Sequence, residues 1–247
     1  MALHLTFSGG AESVTGSNFL VTGDRGKLLV DCGLEQGEDF CRPCMYEPFP
    51  YDVPSIDALV ITHSHLDHIG RAPKLMREGF KGTVYCTAPT RDLMELILKD
   101  SARIMAADAR QKGRPVLYED EDVEALLALV QAVPYEKEWE AAPGLSCVLR
   151  TTGHILGSAS VRIRSDDASL ALTGDLGNSP SPLLPDAKPV TDADVLVMES
   201  VYGDRLHHAE NRVEELRSAL KKAIARGGAI LIPAFSIERT QDRKSVV

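Results

Sequence analysis

The sequence predicts a mixed α/β (α+β) fold: two sheets packed together with helices outside. Three observations carry this. Early strands are joined by a hairpin signal, later strands alternate with helical stretches, and an apolar run, Ala58-Leu59-Val60-Ile61, reads as a buried strand. At 247 residues and 44% hydrophobic, the chain can bury the substantial core such a fold needs.

Taken in order, Leu3–Phe7 alternates as a strand. Asn18–Thr22 and Lys27–Asp31 follow as strands, joined at Gly23-Asp24-Arg25-Gly26, a composition suited to a tight turn. After Ala58–Ile61 comes an amphipathic helix over Ile69–Arg77, then a strand at Thr83–Thr87. A helix is expected over Thr90–Gln111, with apolar residues at Leu93, Leu96, Ile97, Ile104 and Met105. Another is expected over Glu121–Gln131, where the acidic run from Glu119 to Asp122 complements the helix dipole. Three strands fit Leu145–Thr173, broken at Gly153–Gly157 and at Ser165-Asp166-Asp167. A buried strand at Asp194–Met198, a helix at Glu210–Arg226 ended by Gly227-Gly228, and a strand at Ala229–Ile232 complete the reading.

Composition excludes several classes. The N-terminus lacks a basic stretch with an apolar core behind it, so no signal peptide is indicated. No apolar run approaches the roughly 18–20 residues of a membrane span. Cys32, Cys41, Cys44, Cys86 and Cys147 are odd in number and scattered, which suits a reducing cytoplasm. Cys41-x-x-Cys44 has no second pair and is a weak metal signal. The net charge of −9 argues against non-specific binding to nucleic acid, yet bound divalent ions would give an acidic chain a local positive field for phosphate.

The chemistry concentrates in Thr62-His63-Ser64-His65-Leu66-Asp67-His68-Ile69-Gly70. Behind a buried strand, His63 and His65 project to one side and a turn then presents Asp67 and His68, enough to serve two ions from one loop. Imidazole and carboxylate ligands suit zinc, with manganese or iron as alternatives. Three further residues sit where strands end. Asp31 precedes a turn glycine, His154 lies in Thr152-Gly153-His154-Ile155-Leu156-Gly157-Ser158-Ala159, and Asp175 is flanked by Gly174 and Leu176-Gly177. Each alone is an ordinary turn or loop residue. Their order after the histidine cluster is not.

In that order of motifs the chain resembles the metallo-β-lactamase superfamily. The resemblance implies an αββα sandwich with two divalent metal ions, zinc expected, along one edge. His63, His65 and His154 would hold one ion, Asp67 and His68 the other, and Asp175 would bridge them, with Asp31 supporting the site through hydrogen bonds. Met198-Glu199-Ser200-Val201-Tyr202-Gly203-Asp204-Arg205 and Leu231 to Gln241 further resemble the β-CASP branch of nucleases, as do Val14-Thr15-Gly16-Ser17 and Gly153–Ala159. Within it the chain is similar to bacterial and archaeal ribonucleases related to the eukaryotic mRNA 3′-end cleavage nuclease. The implied reaction is hydrolysis of RNA, single-stranded RNA being expected, by a metal-bridging hydroxide. Asp67 and Asp175 are then catalytic as well as metal-binding, and Glu199 orients the acid machinery. Ser236 and Arg239 would contact phosphate. Homodimerisation, endo- against exonucleolytic action, and DNA as substrate are left open.

The expected organisation is a metallo-β-lactamase-like domain over 1–206, the beginning of a β-CASP domain over 207–241 and a non-native tail over 242–247. The family pattern continues past Gln241 to two further histidines, for which His207 and His208, expected as exposed loop residues, are no substitute. Asp242-Arg243-Lys244-Ser245-Val246-Val247 back-translates to GAT CGG AAG AGC GTC GTG, which matches a common sequencing adapter. A truncated copy is therefore expected, inactive as written, of a parent that is a nuclease. The competing readings are a small-molecule metallo-hydrolase of thioesterase or lactonase type and a non-catalytic scaffold subunit.

Overall fold

Which way each strand residue faces follows from simple alternation, and the alternation builds two cores. The computed structural model describes residues 3–37, 43–181, 183–205, 212–227 and 229–241. The chain forms two compact units, Met1–Glu199 and Ser200–Val247.

In the first unit, β1 (His4–Gly9), β2 (Asn18–Thr22), β3 (Lys27–Val30) and β4 (Ala58–Val60) are followed by the single-turn helix α1 (Leu66–Ile69) and by α2 (Ala72–Arg77). Next come β5 (Thr83–Cys86), α3 (Ala88–Lys112), α4 (Asp120–Leu127) and β6 (Val130–Ala132). Strands β1 to β6 form one sheet in sequence order, antiparallel through β3 and parallel from β3 to β6. The second sheet holds β7 (Trp139–Ala142), β8 (Leu145–Thr151), β9 (Ala159–Arg164), β10 (Ser169–Leu172) and β11 (Val195–Val197), in the order β11-β10-β9-β8-β7.

Leu28, Val30, Ala58 and Val60 face the second sheet and pack with Cys147, Leu149, Val161, Ile163 and Leu172. Their neighbours Leu29 and Leu59 point the other way, into a core shared with Leu75, Met94, Leu98 and Leu126 of the helices. Both faces of β3 and β4 are thus fully buried, at about 1.5–3 kcal/mol for each large side chain. Because β3, β4 and β5 are parallel, their C-terminal ends share one edge, the usual place for a site in such a sheet.

Several expectations shift. The stretch expected as one helix over Ile69–Arg77 is two helices broken around Gly70-Arg71. Pro73 has no N–H for the bond that would join them. The helix expected over Glu121–Gln131 ends at Leu127, and Gln131 lies in β6. In α3 the buried stripe is Met94, Leu98, Ala102, Met105 and Ala109, whereas Leu96 and Ile104 are exposed. The strand at Asp194–Met198 is shorter and not buried. As β11 it pairs, among the described residues, only with β10 at the sheet edge, with Val195 and Leu196 56% and 48% exposed. Strand β7 had not been expected.

The second unit contains α5 (Arg212–Arg226), closed by Gly227 at φ 68°. Residues 229–232 are not a strand: they pair with none among the described residues, and Leu231 is 93% exposed. Cys41, His207, His208, Gly228 and the tail 242–247 lie outside the described residues.

On the second sheet, Asp192 accepts from both Nη atoms of Arg150, at 2.6 and 2.9 Å, and from Arg162. The hydrogen bond from Arg150, with the charges of both arginines, holds its carboxyl down at about 2. Because the folded value is depressed, the stabilisation is complete above the ordinary carboxylate range and is lost as pH falls through about 2. The carboxylate is 39% exposed, and solvent screening limits the contribution to about 1 kcal/mol or less. D192N is expected to lower the thermal midpoint by about 2–4 °C at pH 7. The gap from the native protein should narrow below about pH 4 and close below about pH 2 in a pH series of melts.

Candidate metal centre

Five strand ends deliver the site. Asp31 directly follows β3 and, unusually for a residue with a side chain, takes a left-handed φ of 57°. Its carboxylate, 1% exposed, accepts from Thr62 N at 2.8 Å, Thr62 Oγ1 at 2.8 Å and Ser17 Oγ at 3.4 Å, and pairs with His68 Nδ1 at 2.7 Å. His63 lies just beyond β4 and is fully buried. His65 sits at the N-cap of α1 without capping it, and Asp67 and His68 lie in that single turn. His154 comes from the loop between β8 and β9, and Asp175 follows β10.

These side chains converge. His65 Nδ1 is 3.1 Å from both His63 Nε2 and His154 Nε2. Asp175 Oδ2 lies 3.7 Å from His63 Nε2 and 3.4 Å from His154 Nε2, while its Oδ1 is 3.2 Å from His68 Nε2. Asp67 Oδ2 is 3.9 Å from that same nitrogen. Two donor sets result, His63–His65–His154–Asp175 and Asp67–His68–Asp175, each with ligand atoms within 4.8 Å of one another.

The donors fit an ion. A tetrahedron of nitrogens about 2.0–2.1 Å from zinc has edges of about 3.3 Å, close to the observed spacing. Hydrogen bonding alone explains the triad poorly. His65 Nδ1 has a single lone pair or a single proton, and two ring nitrogens press on it. A cation satisfies all three.

Electrostatics separates the two sets. Burial, then the neighbouring rings of His68, His65 and His154, pushes His63 well below the ordinary histidine range, so it offers a lone pair. Burial also pushes His68 down, but the carboxylates of Asp31 and Asp175 outweigh it and hold it well above. Burial raises the Asp67 carboxyl. At Asp175 burial acts the same way but loses to the hydrogen bond and charge of His68, leaving that carboxyl below its usual value.

All six predicted ligands and Asp31 are therefore brought together. Glu199 stands beside them. Its Oε1 accepts from Leu176 N at 3.0 Å, and its own N–H donates to Thr173 Oγ1, bracing the loop that carries Asp175. Ser236 and Arg239 belong to the second unit and are exposed. Thr62 and Ser158 were not assigned roles from sequence, although each lies within a quoted motif. Ser158 Oγ accepts from His154 N at 3.0 Å.

Comparison with known proteins gives the family. The profile described as Metallo-beta-lactamase superfamily matches residues 13–234. The chain belongs to that superfamily. Among curated proteins, this metallo-beta-lactamase chain is 39% identical over 235 residues to ribonuclease TTHA0252 of Thermus thermophilus, covering 95% of the chain and 52% of that protein. It is 34% identical to transcription termination factor FttA of Methanocaldococcus jannaschii, covering 97% of the chain and 38% of the factor. An RNase J-like protein of the same organism is 31% identical, with 96% and 52% covered. These relatives are consistent with the β-CASP branch. The chain thus spans about half or less of the length of the curated relatives it matches. A protein of unknown function from Enterococcus faecalis shares the fold at 13% identity, with a TM-score of 0.57 over 98% of this chain and 62% of that one. No helix among the described residues is long and apolar enough to cross a membrane.

Proposed function

We propose that this chain is the metal-binding part of a nuclease that hydrolyses phosphodiester bonds in RNA, with two zinc ions and a single-stranded substrate. The observation that carries the reading is Asp175, whose two carboxylate oxygens face two different donor sets. The relatives named as ribonucleases supply the substrate class. When bound, such a pair of ions supplies a water acidic enough to ionise near neutral pH and positive charge opposite a phosphate.

The chain's own residues do the rest. His63, His65 and His154 offer ring nitrogens from three directions, and Asp175 spans both sets. Asp31 holds His68 Nδ1, which turns Nε2 toward Asp175. Glu199 fixes Leu176 and thereby the backbone next to Asp175. On a chain of net charge −9, phosphate approach depends on the field of bound ions, so chelation should remove substrate binding as well as cleavage.

The test is metal content by elemental analysis, combined with cleavage of labelled single-stranded RNA before chelation, after it, and after adding back zinc or manganese. About two ions per chain are expected, and, in the full-length protein, loss of cleavage on chelation. A purified protein that retains no divalent ion and cleaves equally in chelator rules the reading out. Equal cleavage of matched DNA would broaden the substrate class, and hydrolysis of a thioester or lactone without nuclease activity would move the protein to small-molecule chemistry.

A further inference from the structure

The loop that presents His154 is anchored outside its own sheet. Thr87 caps the N-terminus of α3, its side chain accepting from Thr90 N. Thr87 Oγ1 also donates to the Gly157 carbonyl at 2.8 Å, and Thr90 Oγ1 donates to the same oxygen at 3.0 Å. Both threonines are buried, at 2% and 0% exposure.

The cap requires only the first hydroxyl. The second, buried in the first turn, needs partners to offset its desolvation; it lies 3.0 Å from Thr87 Oγ1, and the acceptor for its own proton is the Gly157 carbonyl. The fit is close. Gly157 has φ 86°, and a Cβ there would lie 2.6 Å from both Thr90 N and Thr90 Oγ1. The loop itself is stiff. Ser158 Oγ accepts from His154 N, from Ile155 N and from Thr152 Oγ1, and Tyr135 Oη donates to the Ser158 carbonyl at 2.9 Å. Its far side is equally tight, since a Cβ on Gly177 would sit 1.9 Å from the Gly153 carbonyl. A stiff loop moves as a body, so the tie from α3 at Gly157, together with Tyr135 at Ser158, sets where His154 lies, three residues away.

We infer that Thr87 and Thr90 are positioning residues that fix the His154 loop against α3, so that His154 Nε2 meets His65 Nδ1 at metal-ligand spacing across 89 residues of sequence. This rests on the reading of the site as a metal centre.

The test titrates the metal-free chain with cobalt(II), reading the visible bands of the bound ion, with a thermal melt of each variant beside it. T90V keeps the shape and removes the donor. It is expected to weaken binding at the three-histidine set by about 10-fold, and T90S is expected to restore it. A purely structural threonine would act whether or not His154 is present. In a double-mutant cycle T90V should therefore add nothing to H154A. Native-like affinity in folded T90V, failure of T90S to rescue, or full additivity with H154A would overturn the inference. If T90V does not fold, T90A, smaller and a better helix former, takes its place under the same outcomes. If the unmodified chain takes up no cobalt, or H154A binds it unchanged, the metal-centre reading falls and this inference with it. His154-dependent uptake with no response to T90V removes this inference alone.

Discussion

D175A is expected to empty both halves of the centre and, in the full-length nuclease, to lower RNA cleavage by at least about a thousand-fold, on the order of 4 kcal/mol of transition-state stabilisation. The size follows from position. Removing His65 or His154 would leave the other set complete, whereas Asp175 belongs to both. Its loss leaves His63 and His154 without the oxygen at 3.7 and 3.4 Å, and His68 without the one at 3.2 Å. The remaining triad is neutral, so an ion held there would lack the carboxylate that offsets its charge. Asn in place of Asp175 keeps the shape and one oxygen but no charge, and should fall between native protein and D175A in metal content. The measurement is the metal-to-protein ratio after gel filtration, paired with single-turnover cleavage. A D175A protein that keeps its full metal complement, or cleaves within tenfold of native, would show that Asp175 does not bridge.

Much of this centre was legible because ligands advertise themselves by type and by placement at strand ends. The histidine cluster follows an apolar strand, Asp175 stands beside Gly174, and Asp31 lies two residues before Gly33, glycines that allow tight backbone approach. At Gly33 a Cβ would lie 1.7 Å from the Asp67 carbonyl. Less legible was whatever depends on a neighbour in space. Strand β11 reads as buried because it is apolar, but an edge has only one partner. In α3 the exposed Leu96 and Ile104 carry the same letters as core residues, and only the position of the first sheet selects Met94, Leu98 and Met105 instead. Thr62, Thr87, Thr90 and Ser158 escape sequence reasoning for a similar reason. A hydroxyl is common, and its role appears only when its acceptor, between 31 and 70 residues away for Thr62, Thr87 and Thr90, is in place.

The second large effect is expected at Asp31, through a proton rather than a charge. D31N preserves volume, and asparagine tolerates the left-handed φ of 57°. Thr62 N can still donate to the remaining oxygen. The other terminus changes from an acceptor into an N–H₂ donor facing His68 Nδ1, 2.7 Å away in the native site. Two donors cannot share that contact. Nδ1 must give up its proton and accept, which leaves the ring's remaining proton on Nε2, the nitrogen aimed at Asp175. Thr62 Oγ1, which donated to the same carboxylate oxygen, must also reorient. The imidazole would then present N–H where the ion needs a lone pair. A 10- to 100-fold loss of affinity is expected at the Asp67–His68 set, with the three-histidine set affected less. Stability should fall as well, by about 1–3 kcal/mol, because Thr62 Oγ1 and His68 Nδ1 lose a buried carboxylate acceptor. D31A is harsher, leaving Thr62 N, Thr62 Oγ1 and His68 Nδ1 facing a void. NMR of the ring nitrogens distinguishes the two explanations. A His68 ring that keeps its proton on Nε2 and loses the one on Nδ1 in D31N supports tautomer control. An unchanged tautomer with weakened binding would mean that Asp31 acts through its charge alone.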